Sequence, residues 1–314
     1  MRRADGFVFC PDQKESEGKG MSMEIIIENL VKYYGKQRAL DGVSLTIPGG
    51  MFGLLGANGS GKTTLMRILA TLIPKDGGTV TMDGISLERI EEIRRMVGYL
   101  PQDFNMYPYY TVSQALDYIA YLSGIRKGRE NRIRTMLEWV NLEEAKKKKV
   151  RELSGGMKRR LGIAMALIHD PEVLIADEPT AGLDPEERIR FRNLLRGFAG
   201  RRTVLLSTHI AGDVEVSCDH LAVLNRGRLL FAGDMKEFIQ GAQGTIWELR
   251  GSGQETEAEL AKYPEAVLIS QTVKDGEDVL RVYSEERPGS MAECVTPRAE
   301  DAYMRISRRN IKSL

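Results

Sequence analysis

The chain has 314 residues, with 45 Lys and Arg against 44 Asp and Glu and 42% hydrophobic residues, so it can bury a large core and has no excess charge to draw nucleic acid. Its three cysteines, Cys10, Cys218 and Cys294, are odd in number and far apart, which fits reduced thiols better than a disulfide framework or a metal site. No apolar run approaches the ~18 residues of a membrane-spanning helix, so any membrane role is indirect.

Residues 1–22 carry two arginines and a short apolar core (Phe7, Val8, Phe9), too short for a secretory signal, then a polar stretch. They read as disordered, or as a leader upstream of a start at Met21 or Met23. From Met23 the texture is regular. “MEIIIENL” (23–30) and “ALDGVSLTI” (39–47) read as strands about a glycine turn, and “MFGLLG” (51–56) as a short buried strand. A helix over “LMRILATLI” (65–73) is expected to stop at Pro74. “GTVTMDG” (78–84) and “MVGYLPQ” (96–102) are strand-like. Residues 110–168 are mostly helical in period, most clearly at 112–124 and 132–142. “VLIADE” (173–178) and “TVLLSTH” (203–209) are the continuous apolar runs that a parallel sheet buries, and “LAVLNRGRLLFAGD” (221–234) is a hairpin turning at Asn225 to Arg228. Beyond Gly241, “GAQG” and “GSGQE” read as flexible, and 267–286 as a second hairpin about Lys-Asp-Gly. Strand and helix alternate, so the class is α/β, with a small α+β appendage over 243–314.

Chemistry concentrates in a few stretches. “GANGSGKT” (56–63), after a strand and before a helix, has the form of a phosphate-binding loop. Its glycines, Gly56, Gly59 and Gly61, let backbone N–H groups curl around phosphates; Lys62 reaches the terminal phosphates and the Thr63 hydroxyl ligates Mg²⁺. The plainer alternative is a glycine turn that caps a helix. Asp177 and Glu178 close an apolar strand and, by strand alternation, point different ways: Asp177 toward Mg²⁺, Glu178 toward an attacking water. A pair of solvated charges at a strand end is the alternative. His209, at the end of another strand, can bond a γ-phosphate and steady Glu178, or simply cap the strand. His169 and His220 lack such a context and read as structural. Gln102 in “YLPQD” can lend an amide oxygen to the Mg²⁺ shell. In “LSGGMKRRLGIAMAL” (153–167), Ser154 is a natural N-cap, Gly155 and Gly156 bare the backbone, and Lys158, Arg159 and Arg160 add positive charge, so this helix end reads as a second anion receptor.

In order, “KYYG”, “GANGSGKTT”, “LPQ”, “LSGGM”, “VLIADEPTAGLD” and “STH” resemble the A-loop, Walker A, Q-loop, signature, Walker B with D-loop, and H-loop of an ABC-type ATPase subunit, over about residues 23–240. The resemblance implies a P-loop NTPase (RecA-like) core with an antiparallel β subdomain and a helical subdomain (about 103–168), making an ATPase domain over 23–242. It implies a catalytic set of Glu178, His209, Lys62 and Gln102, and Mg²⁺ ligation by Thr63, Gln102 and Asp177. ATP contacts would come from Tyr34, from Gly56, Asn58, Gly59, Ser60, Gly61, Lys62, Thr63 and Thr64, and from Ser154, Gly155, Gly156 and Asp184. Tyr34 would stack on adenine, with Tyr33 a packing residue. It also implies that the signature of one chain closes over ATP held by the Walker A of a second, which identifies the anion at Ser154 as a partner's γ-phosphate. Met157 stands where the family signature usually has glutamine, so a contact from that amide is absent.

Three functions share these motifs: the energising subunit of a membrane transporter, a soluble ABC ATPase acting on DNA or ribosomes, and a nucleotide-gated regulator with little turnover. The chain has one cassette and no coiled-coil insert, which favours the first, as a homodimer at the cytoplasmic face of the membrane beside a separate permease and without nucleic acid. The aromatic-rich segment after Gln102 suits a groove for a partner helix or ordinary core packing. “TPRAEDAYMRI” (296–306) resembles the ending of type-2 exporter ATPases of drug, antibiotic or lipid efflux. Lys146 to Lys149 read as a solvated face, with anionic headgroup contact as the alternative.

Overall fold

The computed structural model describes residues 23–200 and 202–309; the leader expected over 1–22 lies outside them, as does Cys10. Its centre is a six-stranded sheet in the order Arg228–Asp234, His220–Asn225, Gly50–Leu55, Thr203–Thr208, Val173–Ala176, Val97–Leu100. All its pairings are parallel except the Arg228–Asp234 hairpin at one edge. The period-2 alternation of the strands sorts the core. Met51, Leu55, Leu174, Ala176, Val204 and Leu206 face one layer, while Phe52, Leu54, Val173, Ile175 and Leu205 face the other. Both faces are covered, which is why these strands are apolar throughout.

One cover is an antiparallel sheet in the order Gln37–Ile47, Ile25–Tyr34, Gly77–Met82, Ile85–Ser86, together with helices Lys62–Leu69 and Ile90–Met96. The other is helical: Val112–Leu122, Arg129–Trp139, Gly155–Leu167, Pro185–Ala199 and Ala211–Ser217. Antiparallel sheet, parallel core and helical layer are the P-loop NTPase architecture expected from the motifs.

The helix expected over 65–73 runs instead from Lys62 to Leu69 and ends well before Pro74. Its stop is a Schellman turn: Leu72 N–H reaches Arg67 O at 2.8 Å, Thr71 N–H reaches Ile68 O at 2.9 Å, and Thr71 adopts φ 56° without being glycine. Arg94 holds that turn, donating to the Thr71 hydroxyl and carbonyl. “GSGQE”, expected to be flexible, opens helix Gly253–Leu260 with a capping box in which Ser252 N–H and Oγ both donate to Glu255.

The last segment forms an antiparallel sheet, Val267–Lys274, Glu277–Tyr283, Ile246–Gly251, Ala292–Cys294, followed by helix Ala299–Arg309. Its own apolar cluster is small, centred on Leu249, Leu280, Val282 and Ala292, whereas Ile246, Tyr283, Ala299 and Ala302 belong to the large core of the central sheet. Glu215 on Ala211–Ser217 accepts from Ala299 N–H at 3.1 Å.

A buried ion network holds this sheet to its helix. Arg281 donates to both Asp301 carboxylate oxygens at 2.9 and 2.6 Å, to Glu248 at 3.0 Å and to the Thr296 carbonyl at 2.8 Å. Asp301 also accepts from Arg298 N–H, so of the two acidic residues in the Pro297 to Tyr303 ending Asp301 is structural. The Asp301 and Glu248 carboxylates raise the Arg281 pKa, Asp301 the more strongly. Asp301→Ala removes the stronger of the two carboxylate partners of the buried guanidinium, leaving Glu248, and is expected to cost about 3 kcal/mol. Urea unfolding followed at Trp247, whose indole N–H bonds Ser284 O just past strand Glu277–Tyr283, measures it; an unshifted midpoint would remove Asp301 from this role.

Candidate nucleotide site

Strand Gly50–Leu55 delivers the loop 56–61 to the N-terminus of helix Lys62–Leu69, whose first turn has no acidic residue and no side-chain cap. Its N–H donors are therefore free for an anion. Gly61 sits at φ 109°, and a Cβ on Gly56 would lie 2.4 Å from Leu224 O, so larger residues do not fit these two positions. Lys62 Nζ donates to Gly56 O at 2.6 Å and Ala57 O at 3.1 Å, folded over the loop it serves. Burial holds the Lys62 pKa below the usual lysine range, opposed by the charges of Glu178 and Asp177. Around this loop lies a cleft of about 610 Å³ that gathers Tyr34, the run from Asn58 to Thr64, Gln102 and Glu178.

Strand Val173–Ala176 stops one residue before Asp177. The divergence of the two carboxylates therefore comes from Glu178 itself, which takes a left-handed φ of 44°, and not from strand alternation as expected. Asp177 is fully buried: Oδ1 accepts from Ser207 Oγ at 2.5 Å, and Oδ2 has no hydrogen-bond partner. The same Ser207 Oγ accepts from Glu178 N–H at 2.9 Å, so one hydroxyl orients both acidic residues. Ser207 escaped the sequence reading although it stands two residues before His209. The Glu178 carboxylate lies 3.0 and 3.1 Å from His209 Nδ1.

Among the described residues no group of three or more His, Cys, Asp or Glu side chains could hold a metal. Asp177 Oδ2, buried and unpartnered, and the Thr63 hydroxyl in the loop helix are hard oxygen donors that fit Mg²⁺, provided nucleotide and water supply the rest of its shell.

The second anion receptor is arranged differently from its sequence reading. Ser154 caps helix Gly155–Leu167, accepting from Met157 N–H at 3.2 Å, and is exposed, as is Gly155. Arg159 and Arg160, expected to charge that end, are both 9% exposed and turn inward onto main-chain carbonyls, leaving Lys158 as the cation there. An exposed guanidinium pair would crowd the positive end of the helix; turned inward, the two arginines satisfy buried carbonyls instead. Met157 is partly buried against the main core, which explains an apolar residue at that signature position. Asp184 caps helix Pro185–Ala199 through Glu187 N–H at 2.8 Å. Ser154, Gly155, Gly156 and Asp184 do not line the Lys62 cleft; Gly155 borders a separate hollow with Lys158 and Gly182.

Tyr34 is 49% exposed at the cleft. Tyr33, expected to pack, is instead 39% exposed, under the Arg38 guanidinium at 5.2 Å from the ring. His169 is held by Val97 O at 3.2 Å and burial lowers its pKa, a structural role as expected. Cys218 is buried, its thiol pushed up to about 12, and Cys294 is exposed; both are free.

A phosphate loop on a parallel sheet, facing a buried aspartate and a histidine-bonded glutamate, defines a P-loop nucleotide hydrolase. Comparison with known proteins specifies which one. Residues 40–181 match the family model described as ABC transporter. The chain is 40% identical over 235 residues to the Nod factor export ATP-binding protein I of Ralstonia nicotianae, covering 73% of this chain and 72% of that protein. Against the protein of the same name from Rhizobium etli it is 34% identical over 310 residues, 95% and 98% of the two chains. The dimeric post-hydrolysis structure of the ATP-binding cassette MJ0796 bound to ADP and Pi aligns with TM-score 0.61 at 26% identity, over 67% of this chain and 98% of that one. The chain belongs to the ABC transporter ATP-binding proteins. It is an ATP-binding, ATP-hydrolysing transporter subunit, of a family whose cassettes dimerise and work with membrane permeases.

Proposed function

We propose that two copies of this chain close around two ATP and drive a separate export permease, attached peripherally at the cytoplasmic face of the membrane. Export follows the relatives named for Nod factor export. Among the described residues no helix is long and apolar enough to cross a membrane, which suits attachment through a partner. Residues 23–242 serve as the ATPase domain, with 103–168 its helical part, and 243–314 as an accessory unit.

In this reading Tyr34 stacks on adenine and the loop from Gly56 to Thr64 wraps the phosphates. Lys62 swings from the Gly56 carbonyl to the β and γ phosphates. Thr63, Asp177 and Gln102 would hold Mg²⁺, which when bound would supply neutralisation of phosphate charge. Glu178 accepts a proton from the attacking water while His209 fixes the carboxylate and faces the γ-phosphate. Ser154, Gly155 and Gly156 meet the γ-phosphate of the other copy, and Asp184 reports across the interface. The observation that carries the reading is the Glu178 carboxylate, lining the Lys62 cleft and bonded to His209.

Lys62→Ala removes the one cation of the loop. ATP affinity is expected to fall about 10- to 100-fold, the loss of a charge-assisted hydrogen bond or two. Titration with a fluorescent ATP analogue measures it; wild-type affinity would contradict the site.

A further inference from the structure

Arg159 is the fifth residue of helix Gly155–Leu167 and borders, with Gly155 and Lys158, the hollow beside its exposed N-cap, yet it is only 9% exposed and its guanidinium hydrogen-bonds elsewhere. Its Nη1 donates to Pro101 O at 3.0 Å and Gln102 O at 2.6 Å, and its Nη2 to Glu178 O at 2.9 Å. A cation is not needed to fill the space, and burying one costs desolvation that an aliphatic side chain would avoid. Burial pushes the Arg159 pKa down, and Asp103, Asp177 and Glu178 oppose it. What the fork does is fix three carbonyls, and they belong to the two loops whose side chains enter the Lys62 cleft, Gln102 and Glu178.

The Glu178 backbone needs such a hold. A non-glycine residue at φ 44° stores about 1–3 kcal/mol of strain and stays there only when its surroundings enforce it. Its N–H donates to Ser207 Oγ from strand Thr203–Thr208, and its C=O accepts both from Arg159 on the signature helix at 2.9 Å and from Ala181 N–H in its own loop at 3.2 Å. The clamp therefore has one jaw on the sheet and one on the helical layer.

We infer that Arg159 is the positioning residue that sets Glu178 and Gln102 of its own cleft from the helix whose N-terminus serves the other copy's nucleotide. Resting on the function proposed above, this makes the helix Gly155–Leu167 one rigid part with two ends: Ser154 on the partner's phosphate, Arg159 on the chain's own water-activating loop. A shift of the helix on closure moves both ends together, so closure at one nucleotide aligns hydrolysis at the other.

The test uses the full chain and steady-state ATPase kinetics. Arg159→Gln is expected to lower kcat about 10- to 100-fold, the scale on which a misplacement of an ångström acts, with KM for ATP within about twofold of wild type because the Lys62 loop is untouched. Arg159→Lys keeps the charge but not the planar fork, and its kcat should fall between the two. Amide hydrogen exchange gives the readout that a merely structural role would not: faster exchange over 101–105 and 177–182, unchanged exchange within Gly155–Leu167. Wild-type kcat in Arg159→Gln, or KM rising while exchange accelerates along the whole helix, overturns the inference. If Arg159→Gln does not accumulate, Arg159→Lys decides, and a wild-type kcat there overturns it. Glu178→Gln run alongside separates the causes: wild-type hydrolysis in that variant overturns the role of Glu178 and this inference with it, whereas a slow Glu178→Gln beside a normal Arg159→Gln removes Arg159 alone.

Discussion

Glu178→Gln is expected to bind ATP as the wild type does and to hydrolyse it about 10²- to 10⁴-fold more slowly, the range over which a positioned general base acts. The substitution is close to isosteric, so the pieces around it stay in place. Ser207 still accepts from the residue 178 N–H, and Arg159 still holds its carbonyl, so the left-handed turn is not released. An amide oxygen can still face His209 Nδ1. What is lost is a site for the proton of the attacking water. A structural pairing of Glu178 and His209 predicts something else, a modest change in rate with a change in stability. Phosphate release in a single turnover, alongside nucleotide binding, distinguishes the two, and an unchanged rate would take Glu178 out of the chemistry.

Local and long-range features were unequally legible in the sequence. “GANGSGKTT” could be read because the phosphate loop is contiguous and its glycines answer a local backbone demand: at Gly61 φ is 109°, and at Gly56 the neighbouring chain leaves no room for a Cβ. The parallel strands could be read because burial on both faces makes them apolar throughout. Arg159 and Arg160 could not, because the carbonyls that turn them inward lie 19 to 58 positions away in the chain. For the same reason the network of Arg281, Glu248 and Asp301 left no local pattern. The early stop of the loop helix was hidden because Thr71 occupies a left-handed position where glycine is usual. By contrast, Ser252 and Glu255 form a contiguous capping box, a local signal that the flanking glycines obscure.

Ser154→Arg is expected to abolish ATP-driven dimerisation while leaving the monomer folded and able to bind nucleotide. Arginine has no acceptor, so the cap to Met157 N–H is lost, at about 1 kcal/mol. That loss is small beside the burial of Leu161, Ile163, Ala164 and Leu167, which fastens the helix into the main core. Nucleotide binding should persist because Ser154 does not line the Lys62 cleft. The new side chain would instead fill the exposed helix end where a γ-phosphate of the other copy is to sit. The measurement is sedimentation of the variant in a Glu178→Gln background with saturating ATP and Mg²⁺, where the unaltered signature should give dimers. Ser154→Ala resolves the remaining ambiguity, since it also loses the cap but adds no bulk. Dimers with alanine and monomers with arginine place the obstruction at the interface; monomers with both would mean that the Ser154 hydroxyl itself is needed there. Dimers with arginine would sink the idea that the site is completed by a second chain.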